Sequence, residues 1–280
     1  MPDASLPEPS ITTRSKGRAI TNDSSAPANG ESPALRKVHF VLQGKGGVGK
    51  TFVASLLAQF YIENGAPIVC LDTDPVNGSF SAIRALAAKH VSLLAGDRID
   101  VDALDELVER VMTENAHFVI DNGAASFVPL SRYLLEHDIA RLIAGDGLSV
   151  GGGKRVVVHT ILTGGPAMLD TAKALEAVIE QFPPSVELVV WLNEFFGPVV
   201  TDAGEGFEHT PLYQQNRARI TGLMRLERLN PDTFGRNLRD MLARRMTFGE
   251  ADQSPEFRIV ARQRLRQVWR PIRDQIALIA

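Results

Sequence analysis

The sequence has 280 residues and a mass of 30.5 kDa, enough for one large domain or two small ones. Apolar residues make up 44% and charged residues 22%, a globular composition with a formal charge of −3. A single cysteine, Cys70, excludes a disulfide framework and a thiolate metal cage within one chain. The longest apolar runs, such as residues 188–192, are too short for a membrane span, and the N-terminus has no apolar signal core. A cytoplasmic protein is expected, rather than a secreted or integral membrane one.

Residues 1–36 hold five prolines, six serines and no aromatic residue, so they are expected to form a disordered tail. Residues 38–42 are a mostly apolar run entering glycines, which predicts a buried strand and a loop. Residues 51–63 carry apolar groups on a helical period and stop at Asn64-Gly65. A second buried strand is predicted at 67–71, an amphipathic helix at 102–113, and a third strand at 118–120 ending in Asp121. Residues 155–162 read as a β-branched strand, 167–181 as a helix closed by Pro183-Pro184, and 186–192 as another strand. Strands that are apolar on both faces and alternate with helices predict an α/β fold, a mostly parallel sheet sandwiched by helices. After Asn193 the chain reads as mostly helical, with a loop at 197–214. The expected organisation is a tail (1–36), an α/β domain (37–235) and basic C-terminal helices (236–280), packed on that domain or appended to it.

The strongest local signal is Gly44-Lys45-Gly46-Gly47-Val48-Gly49-Lys50-Thr51, the phosphate-loop pattern between a strand and a helix. Glycines let several backbone N–H groups turn towards one anion, and the following helix aims its positive end at the same point. Lys50 reaches the β/γ-phosphates and the Thr51 hydroxyl is a Mg²⁺ ligand. Asp72 and Asp74, two residues apart at a strand end, can share a face towards the phosphates. Asp121 ends an apolar strand. The Gly151-Gly152-Gly153-Lys154 run is followed by Arg155, so it is no second phosphate loop and is expected to be a flexible one. His159 within a strand and the lone Cys70 read as core residues.

The extra Lys45, in K-G-G-x-G-K-[ST], resembles the deviant Walker A motif of the ParA/MinD family. That resemblance implies bound ATP and Mg²⁺ and an ATP-dependent homodimer, with Lys45 reaching the nucleotide of the other subunit. By position it assigns catalytic roles to Lys45, Lys50 and Asp74, the last orienting the attacking water. It assigns metal roles to Thr51, Asp72 and Asp121, and nucleotide contacts to Gly44, Lys45, Gly46, Gly47, Val48, Gly49, Lys50, Thr51 and Phe52. Asn193 would recognise the base; the run Asn193-Glu194-Phe195-Phe196 lacks the N-K-x-D of guanine sites, which favours adenine. Asn230-Pro231 would close over it. Switch segments are expected at 74–80 and 121–130, although Asn122-Gly123-Ala124 stands where many members carry a proline-containing stretch. Stretches such as 121–130 and 189–193 resemble a branch of the family that serves conjugal plasmid transfer. The runner-up functions are a DNA-partition ATPase, a metabolic kinase or ligase of the same fold, and a nucleotide-binding adaptor without turnover.

Charge is unevenly placed. Residues 214–280 contain 14 arginines, no lysine and seven acids. Ala261, Leu265, Val268, Ile272, Ile276 and Ile279 form an apolar stripe among the arginines, with Pro271 expected to kink or divide the helix. Three readings stand: a terminal helix packed on the body, a surface for DNA or a conjugative-transfer partner, and, less favoured, a membrane-surface helix.

Overall fold

The computed structural model describes residues 35–75, 77–96, 98–145, 153–201 and 203–280. The tail at 1–34 and the glycines Gly151 and Gly152 lie outside the described residues. The strands are β1 (Lys37–Val41), β2 (Ile68–Asp72), β3 (Lys89–His90), β4 (Leu94–Ala95), β5 (Arg98–Ile99), β6 (His117–Asp121), β7 (Arg155–Thr163), β8 (Glu187–Asn193) and β9 (Ile220–Leu226). Seven of them form one sheet in the order β3-β2-β6-β1-β7-β8-β9, with every neighbouring pair parallel. Strands β4 and β5 pair separately as an antiparallel hairpin. The α/β expectation holds.

Helices α1 (Lys50–Glu63), α2 (Val101–Thr113), α3 (Phe127–Glu136), α4 (Ile139–Ala144), α5 (Met168–Gln181) and α6 (Pro211–Asn216) come first, followed by α7 (Phe234–Ala243), α8 (Phe248–Gln253) and α9 (Ile259–Ile276). Alternation along the strands builds two cores. Val38, Phe40, Phe118, Ile120, Val158 and Val190 bury one face of the sheet with α2 to α5. Val41, Val119, Val157, Val189 and Trp191 bury the other with α1 and α7 to α9. Both faces are covered, which is why these strands read as continuous apolar runs. Residues 35–280 form one compact unit.

Three local expectations are corrected. The segment after Asn193 is helical in α6 to α9 but also holds a strand: β9 extends the sheet beside β8, and the expected 197–214 loop contains a 3-10 turn at Phe207–His209 and the start of α6. Gly222 and Arg225 hide β9 from an apolar count, and Gly222 is needed because a Cβ there would lie 2.8 Å from Ile279 Cγ2. Pro271 does not divide α9, which runs unbroken across it with Val268, Trp269, Ile272 and Ile276 buried around it. The stripe of α9 therefore packs on the body, with Trp269 Nε1 donating to both Glu63 oxygens at 2.9 and 3.0 Å. Several of the segment's arginines are engaged internally: Arg266 with Asp252 at 2.6 Å, Arg262 with Phe257 O at 2.9 Å, and Arg244 with Glu256. Among the described residues no helix is long and apolar enough to cross a membrane.

Helix α2 shows how local signals and distant contacts combine. Asp100 caps it by accepting from Ala103 N at 3.1 Å, and Leu104, Leu107, Val108 and Val111 are its buried face. Its C-terminal carbonyls are met by Lys154, whose buried ammonium donates to Val111 O and Glu114 O and lies 4.7 Å over the Phe118 ring.

A chain of polar groups crosses the core beneath α1. Trp191 Nε1 donates to His159 Nδ1 at 3.0 Å, His159 Nε2 meets His39 Nδ1 at 2.8 Å, and His39 Nε2 meets the Tyr61 hydroxyl at 2.8 Å. An indole N–H can only donate, so neutral imidazoles carry every hydrogen in one direction, from Trp191 to Tyr61. Burial holds His159 at about 3 and pushes His39 well below 6.5. His117, stacked on Tyr61, is lowered to about 4 by burial and by Arg36, Lys37 and Lys154. These groups titrate near 6.5 once unfolded, so the unfolded chain binds more protons below that pH. Their contribution is complete above pH 6.5 and is lost as pH falls towards the folded values, at about 1.4 kcal/mol per pH unit for each histidine. Asp121, raised to about 7 by burial, acts with the opposite sign throughout this window. Three histidines outweigh one carboxyl, so thermal melts should show a midpoint that declines from pH 6.5 to about pH 4.5; a flat profile would contradict this.

Candidate functional site

The parallel sheet places the ends of β1, β2, β6, β7 and β8 along one edge, and the predicted site residues lie there. After β1 the chain turns through Gly47 (φ 73°) and Gly49 (φ 104°), both in the left-handed region that favours glycine. Helix α1 then starts with no side-chain cap and no acid in its first turn. Its first N–H groups have no intrahelical partner and its dipole favours negative charge, which makes this end an anion cradle.

Lys50 is buried, and its Nζ donates to Lys45 O at 2.9 Å. Burial lowers its pKa, while Asp121 and Asp74 pull the other way. The Thr51 hydroxyl donates to Asp121 Oδ2 at 2.7 Å and lies 2.9 Å from Ser79 Oγ. The other Asp121 oxygen, Oδ1, is buried with no hydrogen-bond partner. Burial is the main reason Asp121 is raised to about 7, with the Thr51 hydrogen bond lowering it and the charges of Asp72 and Asp74 lifting it further. An orphaned carboxylate oxygen beside a threonine hydroxyl is an all-oxygen donor set that fits Mg²⁺. Asp72 is fully buried and already committed: it accepts from Asp74 N at 3.1 Å and Ser81 N at 2.8 Å. It shapes the 72–81 turn from within. The Asp74 carboxylate accepts from Asn77 N at 3.3 Å and Asn77 Nδ2 at 3.2 Å.

The signature Lys45 points away from the cradle. Its Nζ donates to Asp170 Oδ2 at 2.7 Å, near the start of α5, with both side chains about half exposed. The hydrogen bond from Lys45, followed by its charge, holds Asp170 below the usual carboxylate range. Exposed pairs are weak and screened by salt. Asp170→Asn should therefore leave the melting midpoint nearly unchanged, with any small loss at low salt closing at high salt. Thermal melts at two ionic strengths read this directly; a large loss at both would show that the pair holds the loop to α5.

Asn193 at the end of β8 is 7% exposed, and its amide holds the phosphate loop. Nδ2 donates to Val48 O at 2.9 Å and Oδ1 accepts from Phe195 N at 3.1 Å. One hydrogen and one lone pair remain for a base. Gly49 is needed beneath it, since a Cβ there would lie 3.0 Å from Asn193 Nδ2. Asn193 opens into a cavity of about 740 Å³ whose walls include Phe52, Phe195, Phe196 and the pair Asn230-Pro231. The structure thus brings Phe52, Asn193 and Asn230-Pro231 to one pocket.

Other members were not legible in the sequence. Buried Gln43 donates to Ile161 O at 2.8 Å and accepts from Lys45 N at 3.4 Å, pinning the loop to β7. Ser79, inside the expected 74–80 switch segment, meets Thr51, and Ser81 just beyond it meets Asp72; neither was singled out by the sequence. His159 and Cys70 are buried core residues, the Cys70 thiol pushed up to about 12 by burial. Among the described residues no group of three or more histidine, cysteine, aspartate or glutamate side chains is arranged to hold a metal ion.

Residues 39–198 match the model of the CobQ/CobB/MinD/ParA nucleotide binding domain. Two Escherichia coli proteins, each named Protein TraL, are similar over most of the chain. One is 40% identical over 242 residues, which are 86% of this chain and 98% of the relative. The other is 39% identical over 234 residues, 84% and 94% of the two chains. Among solved structures, the MinC:MinD cell division protein complex of Aquifex aeolicus aligns with 13% identity and a TM-score of 0.48, covering 84% of this chain and 94% of that one.

Proposed function

The chain belongs to the CobQ/CobB/MinD/ParA nucleotide-binding family, and from that premise we propose that it is a Mg²⁺-dependent ATP hydrolase that switches between a resting form and an ATP-bound homodimer. In this reading it acts in the cytoplasm and serves conjugative DNA transfer, with a transfer protein or DNA as partner. The observation that carries the switch is Lys45: a loop lysine of the phosphate-binding sequence that turns outward and is held by an exposed ion pair. Such a lysine is placed to serve a nucleotide on another copy.

In this reading the labour is divided among the loop, its two lysines and the aspartates. Glycine-loop N–H groups and the N-terminus of α1 bind the phosphates. Lys50 and Lys45 of the second copy neutralise charge on the γ-phosphate, and Asp74 orients the attacking water. Thr51 and Asp121 would hold Mg²⁺, with Asp72 shaping the turn around it; the ion supplies charge neutralisation at the phosphates. Asn193 and the apolar walls of Phe52 and Pro231 receive adenine. Exposed Phe195, Phe196, Leu169 and Val128, on the loops and helix starts that follow β6, β7 and β8, supply apolar surface for a second copy.

Light scattering with no nucleotide, with ADP–Mg²⁺ and with ATP–Mg²⁺ tests the switch. ATP should yield a dimer that Asp74→Ala traps and Lys45→Ala prevents. Equal mass in every state would remove the switch reading and favour the kinase, ligase or adaptor alternatives.

A further inference from the structure

We propose that Gly123, with the hydroxyl of Thr73, is the positioning device for Asp74. The turn after β6 packs its backbone against Asp74 on the turn after β2, and so sets where that carboxylate points. This inference rests on the reading of Asp74 given above and adds the residues that govern it.

The register of the sheet brings the two segments together. Strands β2 and β6 are parallel neighbours with Asp72 opposite Asp121, so both chains leave the sheet side by side. Thr73 N donates to Asp121 O at 2.9 Å, carrying the ladder one step past the strands. The buried Thr73 hydroxyl lies 3.1 Å from both Asp121 O and Asn122 Oδ1. Ser126 Oγ donates back to Thr73 O at 3.0 Å. Thr73, Asn122 and Ser126 are all essentially inaccessible to solvent, so water does not compete for these bonds.

Gly123 makes the contact that matters for chemistry. A Cβ on Gly123 would lie 2.9 Å from Asp74 Cα, 3.0 Å from its Cγ and 3.1 Å from its Cβ. The nearest of these is a main-chain atom, which cannot swing aside like the end of a long side chain. Gly123 is not among the glycines with positive φ, so alanine there meets no backbone strain of its own. The three atoms nearest the added methyl all belong to Asp74. The Asn122 amide adds a second sign that this turn is tuned rather than slack. Its Nδ2 is buried without a partner, and turning the amide over would orphan its oxygen instead. A proline-containing turn, with its fixed φ and missing N–H, would not reproduce this packing. Asn122-Gly123, the point at which the chain departs from the common family pattern, is thus the point at which it holds Asp74.

The experiment compares Gly123→Ala, Thr73→Val, Thr73→Ser and Asp74→Ala in the full chain, reading nucleotide affinity and single-turnover ATP hydrolysis separately. Gly249→Ala is the control, because a Cβ there meets nothing within 4 Å. The expected result is wild-type affinity with turnover slowed about a hundredfold in Gly123→Ala and Thr73→Val, the scale of a small misplacement of a catalytic group. Thr73→Ser restores the hydroxyl and the rate, and Gly249→Ala keeps both. Wild-type turnover in Gly123→Ala beside an inactive Asp74→Ala would overturn the positioning role while leaving the Asp74 reading intact. Loss of affinity together with turnover would also overturn it, since that marks a merely structural residue. Full activity in Asp74→Ala would remove the Asp74 reading and this inference with it.

Discussion

Lys50→Ala should slow single-turnover ATP hydrolysis by about 10²–10³-fold, the usual effect of deleting one charge-stabilising donor from a preorganised site. The expectation follows from where this ammonium sits. It is buried at the head of α1, faces Asp121 and Asp74, and is parked on Lys45 O. Lys45, the other cation of the loop, is turned towards Asp170. Alanine therefore leaves the cradle with backbone dipoles only. Buried Asp121 and half-buried Asp74 lose a compensating charge, so nucleotide affinity should fall as well. Fluorescent-nucleotide binding and single-turnover assays on one preparation separate the two losses. Undiminished hydrolysis in Lys50→Ala would mean that phosphoryl chemistry does not occur in this loop.

The largest stability effect is expected at Trp191, not in the site. Trp191→Ala should destabilise the fold by about 3–5 kcal/mol, the range for emptying a large aromatic position. Trp191 is fully buried between the flanking strands and is one of the largest side chains in the core. In a domain of this size that loss corresponds to a drop of about 10 °C in melting midpoint. Trp191→Phe isolates the polar part. It keeps most of the ring volume but removes the N–H that satisfies His159 Nδ1, and should cost about 1–3 kcal/mol for the acceptor left unpaired. Urea titrations of the two variants check the order. A Phe variant as damaged as the Ala variant would show that the hydrogen bond, not the volume, dominates here.

How far the sequence could be read depends on how local each signal is. Strands β1, β2, β6, β7 and β8 were legible because helices cover both faces and leave unbroken apolar runs. Strand β9 was not, since it is an edge strand that carries Gly222 for Ile279 and Arg225 for Glu194 and Glu208. Helices α3 and α4 escaped because no cap or glycine separates them clearly, and Pro129 sits in the first turn of α3, where a missing N–H does no harm. The phosphate loop is a local pattern, so its residues could be named in advance. The partners that position it are remote: Asp170 lies 125 residues from Lys45, and Ile161 lies 118 from Gln43. Asn193 was read as a base contact, and the structure shows first a brace on Val48. The cavity beyond it needs α7 and α9, which no motif announces.

The seat of α9 gives this protein an order of events during synthesis. The phosphate loop and the residues meant to act with it emerge early, between positions 44 and 121. Yet the face of α1 that stabilises the loop is covered by Leu265, Val268, Trp269 and Ile276, and Lys37 at the start of β1 donates to Ile279 O at 2.6 Å. Arg225 N and Gln275 Oε1 add a further tie between β9 and the same helix, at 2.8 Å. A nascent chain that has exposed its nucleotide motif still lacks the wall that keeps α1 in place. Domains fold as units, so in a growing polypeptide the phosphate loop stays without its support until the ribosome has delivered α9.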